Sequence, residues 1–161
     1  MKSFDLPILI ILLLGLGLAL FTVSPAAPPA VLPWPVSKAE PLTPGADKIT
    51  FTVDPASVDA AEIKATITNR GKTTLAFGAD YRLQIEQDGV WYEIKIGDLP
   101  VIKILYTVAP EDSLDLTFAL RSAYGPLPAG AYRLVKTVSL GEPAAGTTAP
   151  TAEIAAPFEI K

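Results

Sequence analysis

The chain contains no cysteine and no histidine. Without cysteine there is no disulfide, no thiol nucleophile, no thiolate metal site and no residue to lipidate after an export signal. Without histidine there is no histidine-based catalytic triad and no imidazole-bound zinc. The fold must then be stable on packing alone, which a domain of about 110 residues can manage. A basic excess is missing too: 13 Lys and Arg stand against 17 Asp and Glu, a net charge of −4. That balance argues against a nucleic-acid partner, which needs a basic face, and against docking on anionic lipid headgroups.

What the chain has is an apolar N-terminus followed by proline. Leu6–Val23 (LPILIILLLGLGLALFTV) carries no charge over 18 residues. Lys2 before it and Ser24-Pro25-Ala26 after it have the layout of an export signal with a small-x-small cleavage site near Ala26. The run is also at the lower limit of a membrane-spanning helix. Residues 1–26 therefore read as a cleaved signal peptide or as a retained anchor with the N-terminus inside. Both place the rest of the chain outside the cytoplasmic membrane, and contact with the membrane runs through Leu6–Val23 if it stays uncleaved.

Residues 27–46 read as a linker. Pro25, Pro28, Pro29, Pro33, Pro35, Pro41 and Pro44 crowd the stretch from Ser24 to Gly45. Such a segment favours extended polyproline II at about 3.1 Å per residue, a spacer of roughly 60 Å. Within it, VLPWPV (Val31–Val36) is also a candidate proline-rich recognition motif.

From residue 47 to 161 the period is two. Ile49, Phe51 and Val53 alternate with threonines, and Ile63, Ala65 and Ile67 alternate with polar residues. Asn69-Arg70-Gly71-Lys72 predicts a turn with Gly71 at positive φ. Tyr81–Ile96 predicts a hairpin about Asp88-Gly89. Strands are expected at Val101–Val108, Leu114–Phe118, Tyr132–Val138 and Ala152–Ile160, with a loop at Gly141–Pro150. Seven to eight short strands without a helix predict an antiparallel β-sandwich.

Tyr124-Gly125-Pro126-Leu127-Pro128-Ala129-Gly130-Ala131-Tyr132 has the layout of a tyrosine corner. In that reading Pro128 stiffens the turn, Gly130 supplies unusual dihedrals, and the Tyr132 hydroxyl reaches back to the backbone. Leu127, Tyr124 and Trp91 are expected to be structural, with Trp91 in the core or between the sheets; the alternative for Trp91 is an exposed binding aromatic.

These elements resemble a known family. Asn69 after a strand, Phe77-Gly78 before Tyr81, Asp88-Gly89-Val90-Trp91-Tyr92 and the Tyr124–Arg133 stretch are similar to the bacterial immunoglobulin-like domain of exported Gram-positive proteins. The resemblance spans about residues 47 to 161. It implies an immunoglobulin-like sandwich in an exported protein and brings no catalytic residue with it.

Other candidate sites have plain structural readings. Asp54, Asp59, Asp80, Asp88, Asp98, Glu111 and Asp112 lie in predicted loops without the ligand density of a calcium loop. Ser113, Ser122 and Ser139 have no histidine base. No cofactor, metal or catalytic residue is expected. Tyr124–Pro128, Val101–Val108 and the final strand are candidate apolar edges for strand addition, with Lys103 to guard against it. The chain thus reads as a non-catalytic module, monomeric as a domain, displayed for adhesion or protein interaction with a protein or cell-wall ligand. The alternative is an accessory or sensor subunit whose anchor contacts a membrane partner.

Overall fold

The computed structural model describes residues 32–58, 62–97, 103–142 and 145–161. Leu6–Val23 and the first part of the proline-rich stretch lie outside them. The described residues form an all-β, antiparallel, two-layered structure with ten strands. The smaller sheet holds β2 (Ile49–Val53), β3 (Ile63–Asn69) and β8 (Ser113–Phe118), in the order β2-β3-β8. The larger holds β1 (Val36–Lys38), β4 (Leu75–Phe77), β5 (Arg82–Gln87), β6 (Val90–Ile94), β7 (Tyr106–Val108), β9 (Gly130–Leu140) and β10 (Thr151–Ile160).

Period-two patterning decides which face each strand buries. Phe51, Ile63, Ala65, Ile67 and Phe118 point inward from the smaller sheet. They meet Leu75, Phe77, Leu83, Ile85, Ile94, Leu134 and Ile154 from the larger one. Phe118 contacts Phe51 at 6.0 Å and the edge of Tyr81 at 5.0 Å between ring centroids, a geometry that adds to plain burial.

Strand β9 organises the larger sheet. It pairs with β10 along its length, from Gly130↔Ile160 to Ser139↔Thr151. Its other edge pairs with β5 from Tyr132 to Val135 and with β4 at Ser139 and Leu140. Strands β4 and β5 are therefore one line interrupted by a wide bulge. Seven residue steps from Leu75 to Arg82 face five from Leu140 to Val135.

Several sequence expectations are corrected. Short strands at Val36–Lys38 and Leu75–Phe77 raise the count above the expected seven to eight. The first lies in the stretch read as a linker: β1 pairs with β6, Val36 opposite Ile94 and Lys38 opposite Tyr92. Of Val101–Val108 only residues 103–108 are described, and in them the strand begins at Tyr106. A short helix, α1 (Leu120–Tyr124), buries Leu120 and Tyr124 one turn apart and ends at Gly125, φ 76°. Five residues are too few for a helical period to show. Gly71 does not take positive φ; its N–H instead donates to Asn69 Oδ1 at 2.9 Å. The Asn69 side chain thus makes the turn itself. Fully buried, it also donates from Nδ2 to the carbonyls of Thr73 and Val108. The Asp88-Gly89 hairpin has φ 51° and 76°, as a two-residue primed turn requires.

At the crossing from β8 back to β9, the fully buried Tyr132 donates its hydroxyl to the Pro128 carbonyl, 2.8 Å away. Its ring stacks on Phe158 at 5.6 Å. Burial raises its pKa to about 12. Gly130 takes a positive φ of 159°, a backbone conformation that side-chain-bearing residues rarely adopt. Leu127 packs against the core, and Tyr124 belongs to it. Tyr132→Phe should leave the Pro128 carbonyl without this donor and cost roughly 1–2 kcal/mol in urea unfolding. An unchanged midpoint would show that the hydroxyl does not hold the corner.

Candidate functional site

The most elaborated surface is the outer face of the larger sheet. Register places Arg82, Gln84, Trp91, Glu93, Arg133 and Val135 on it, opposite to the core-facing Leu83, Ile85, Tyr92 and Leu134. Trp91 is therefore outside the core, which corrects the expectation above: Tyr92 and Ile94 take the inward positions of β6. Trp91 is half-buried, and the Arg133 guanidinium lies 4.2 Å from its ring centroid. Arg133 Nε donates to Gln84 Oε1 at 2.7 Å. The planar cation is thus held by an aromatic ring and an amide. Burial and the charge of Arg82 lower its pKa, and Glu153 and Glu86 partly oppose them.

An ion network flanks this stack. Arg82 bridges Glu93 on β6 and Glu153 on β10, and Lys95 also pairs with Glu93. Burial pushes the Glu93 carboxyl up. The hydrogen bonds and charges of Lys95 and Arg82 outweigh it and hold the group below its ordinary range.

Part of this face is covered by the chain itself. Ala39 N–H donates to the Trp91 carbonyl on β6, and Glu153 N–H on β10 donates to the Thr43 carbonyl, both at 2.9 Å. Thr43 N–H in turn donates to Glu153 Oε2 at 2.9 Å. The strap between these ends, Glu40-Pro41-Leu42, crosses the outer face. That accounts for Gln84 and Val135, which point outward yet are 0% exposed. Gln84 Nε2 finds no hydrogen-bond partner among the described residues. Strap and sheet leave an open groove of about 500 Å³ lined by Lys38, Glu40, Leu42, Val90, Trp91 and Arg133.

On the inner face, sequence reasoning missed Lys136. It alternates with Leu134 and Val138, so the pleat turns it toward the core, where it is 2% exposed. Its Nζ donates to the carbonyls of Gly78 (2.9 Å) and Asp80 (2.6 Å) and lies 5.1 Å from the Phe77 ring centroid. Those carbonyls belong to the bulge between β4 and β5, which lacks ladder partners there. Burial lowers the Lys136 pKa to about 8, against an opposing pull from Asp80. The signal was present in YRLVKTV: strict alternation from Tyr132 puts Lys136 inside.

The candidate carboxylates and hydroxyls are spread out. Asp54 caps a single helical turn by accepting from Ala56 N–H, and Asp112 accepts from Ser113 N–H. Ser113 bonds Thr68, and Ser122 donates to the Ala119 carbonyl. Asp88 and Glu111 sit in turns at positive φ. Asp59 and Asp98 lie outside the described residues. Among the described residues, no group of three acidic side chains could hold a metal ion.

The family described as "Bacterial Ig-like domain" matches residues 45–159. The chain belongs to that family. The match covers the sandwich from just before β2 to Glu159 in β10, and leaves β1 and the whole strap outside it. Among curated proteins none matches the chain. A solved structure, "Crystal structure of protein from Archaeoglobus fulgidus", is similar at 14% identity over 71% of this chain and 97% of its own, with a TM-score of 0.24. At that score it carries no argument. Ig-like domains of this family are typically non-catalytic, and many lie outside the cell.

Two outcomes follow for these residues. Arg133→Ala should lose about 0.5–1 kcal/mol from the cation–π contact and uncover Trp91, seen as stronger acrylamide quenching of tryptophan fluorescence than in the wild-type chain, with Trp34 kept in both. For Lys136, the folded pKa of about 8 lies below the ordinary 10.5, so the unfolded chain binds more protons between those values. Stability should rise from pH 8 toward pH 10. It should fall above about pH 10 as tyrosines ionise in the unfolded chain, because burial raises Tyr132 and Tyr124 in the folded one. Urea midpoints across this range test the sign, and Lys136→Met should abolish the rise.

Proposed function

We propose that this chain is a non-catalytic Ig-like module displayed outside the cytoplasmic membrane for adhesion or protein interaction. The observation that carries the reading is the family match over residues 45–159 behind an uncharged run of 18 residues, Leu6–Val23. The composition supports it: a chain without cysteine or histidine lacks the usual nucleophile and base pairs. The outer face of the larger sheet supplies the binding surface. There the Trp91–Arg133 stack and its flanking carboxylates offer an aromatic, donors and acceptors in one open groove. Tryptophan and arginine are the residue types enriched in interaction hot spots.

Intact mass measured separately on membrane and medium fractions of the native host tests the placement. A full-length mass in the membrane, or a mass lacking Met1–Ala26 in the medium, agrees with display outside the membrane. Full-length protein in the soluble cytoplasmic fraction overturns it.

A further inference from the structure

The segment preceding the family's domain occupies a site on that domain. Leu32, Trp34 and Val36 are half-buried and pack against the core, while Pro33, Pro35 and Ser37 between them are exposed. That alternation is how a sheet edge reads an added strand: main-chain bonds hold it and pockets take every second side chain. The main-chain bonds are present. Val36–Lys38 pairs antiparallel with β6, Lys95 N–H donates to the Pro35 carbonyl at 2.8 Å, and Ala39 N–H donates to the Trp91 carbonyl at 2.9 Å. Trp34 adds a specific anchor, its Nε1–H donating to the Tyr124 carbonyl at 2.7 Å. Leu32–Val36 of the VLPWPV motif is thus a bound peptide, and its receptor is the edge of β6 beside Tyr124.

The family match begins at residue 45, so the receptor belongs to the domain and the peptide is an appendage. The strand is only three residues long, and its connection to β2 is tied to the sheet at Ala39 and Thr43 before it passes through Pro44 and Gly45. Another copy offers the identical peptide and the identical edge. Exchange between copies keeps every contact and needs no new complementarity. We propose that the β6 edge is a strand-acceptor site for an extended apolar-x-Trp-x-apolar segment, and that Leu32–Lys38 of a second copy enters it by exchange. The cis segment then acts as a resident competitor with a high effective concentration. Crowding of copies favours the exchanged form.

The proposal rests on β1 and β6 and not on where the protein resides. Its test exploits the absence of native cysteine. Ser37 lies directly opposite Glu93, at a spacing a disulfide can bridge. Ser37→Cys full-length protein is mixed with Glu93→Cys full-length protein, denatured and refolded together over a range of concentrations, then oxidised. Peptide mapping reads the disulfide joining position 37 to position 93, which can form here only between chains. We expect this bond, increasing with concentration, while the double variant at low concentration gives the same bond within one chain. Its absence from the mixture at every concentration, with circular dichroism showing both variants folded, overturns the proposal.

A second measurement does not depend on cysteine variants. A synthetic peptide of residues 31–38 is titrated against the wild-type chain and against Trp34→Ala, whose own segment has lost its anchor. About tenfold tighter apparent binding to Trp34→Ala is expected, because the competitor has been weakened. Equal binding to both, or none to either, overturns the proposal.

Discussion

The structure depends on one strand being hydrogen-bonded along both edges. Strand β9 gives one edge to β10 over ten paired residues and divides the other between β5 and β4. A continuous partner would have produced a plain ladder. The two-residue excess between Leu75 and Arg82 opens a bulge, and its carbonyls must find donors where no strand supplies them. Lys136 from β9 itself supplies them, so strand and bulge are fixed by the same residue. Tyr132, earlier on the same inner face, ties the start of β9 to the crossing loop. The register of the larger sheet is therefore set by side chains of the strand at its centre.

A sheet so registered has a defined outer face, and the chain uses it. The strap from Ala39 to Thr43 turns what would be a solvated surface into a partly buried one, which explains why an amide such as Gln84 lies wholly out of water. The Arg133 guanidinium then sits between this amide and the Trp91 ring. Its position results from three elements, β5, β6 and β9, and from the cover laid over them. Groove and strand-acceptor edge are neighbours: Ala39 leaves β1, bonds Trp91 and begins the strap. A change at the β6 edge therefore reaches the groove directly, since Lys38 of β1 and Trp91 of β6 both line it.

Much of the fold was legible because half-buried strands write their burial into alternation. Phe51, Ile63, Ile67, Leu83 and Ile85 are inward where period two put them, and Asp88-Gly89 marked the hairpin. The misses have physical causes. Strand β1 was hidden by Pro33 and Pro35, which read as spacer because proline cannot donate. An edge strand can tolerate this, since the Pro35 carbonyl still accepts. Trp91 shares the polar face of Glu93 two residues on, and the alternation that turns Tyr92 and Ile94 inward turns it out. Lys136 was legible as inward-facing and was passed over because lysine is seldom buried. The strap was not legible, since its contacts join positions some 110 residues apart that no local pattern connects.

The order of attachment along the chain also has a mechanical meaning. Tension drawn through the N-terminal side reaches Leu32 and Trp34 before it reaches either layer of the sandwich. The segment there is held by one indole bond, a three-residue ladder and the strap, all at an edge, where bonds yield one after another. Peeling residues 32–45 would release roughly 45 Å of chain at about 3.3 Å each while the two-sheet core stayed intact. The appendage is thus the part of the structure that such a pull would extend first.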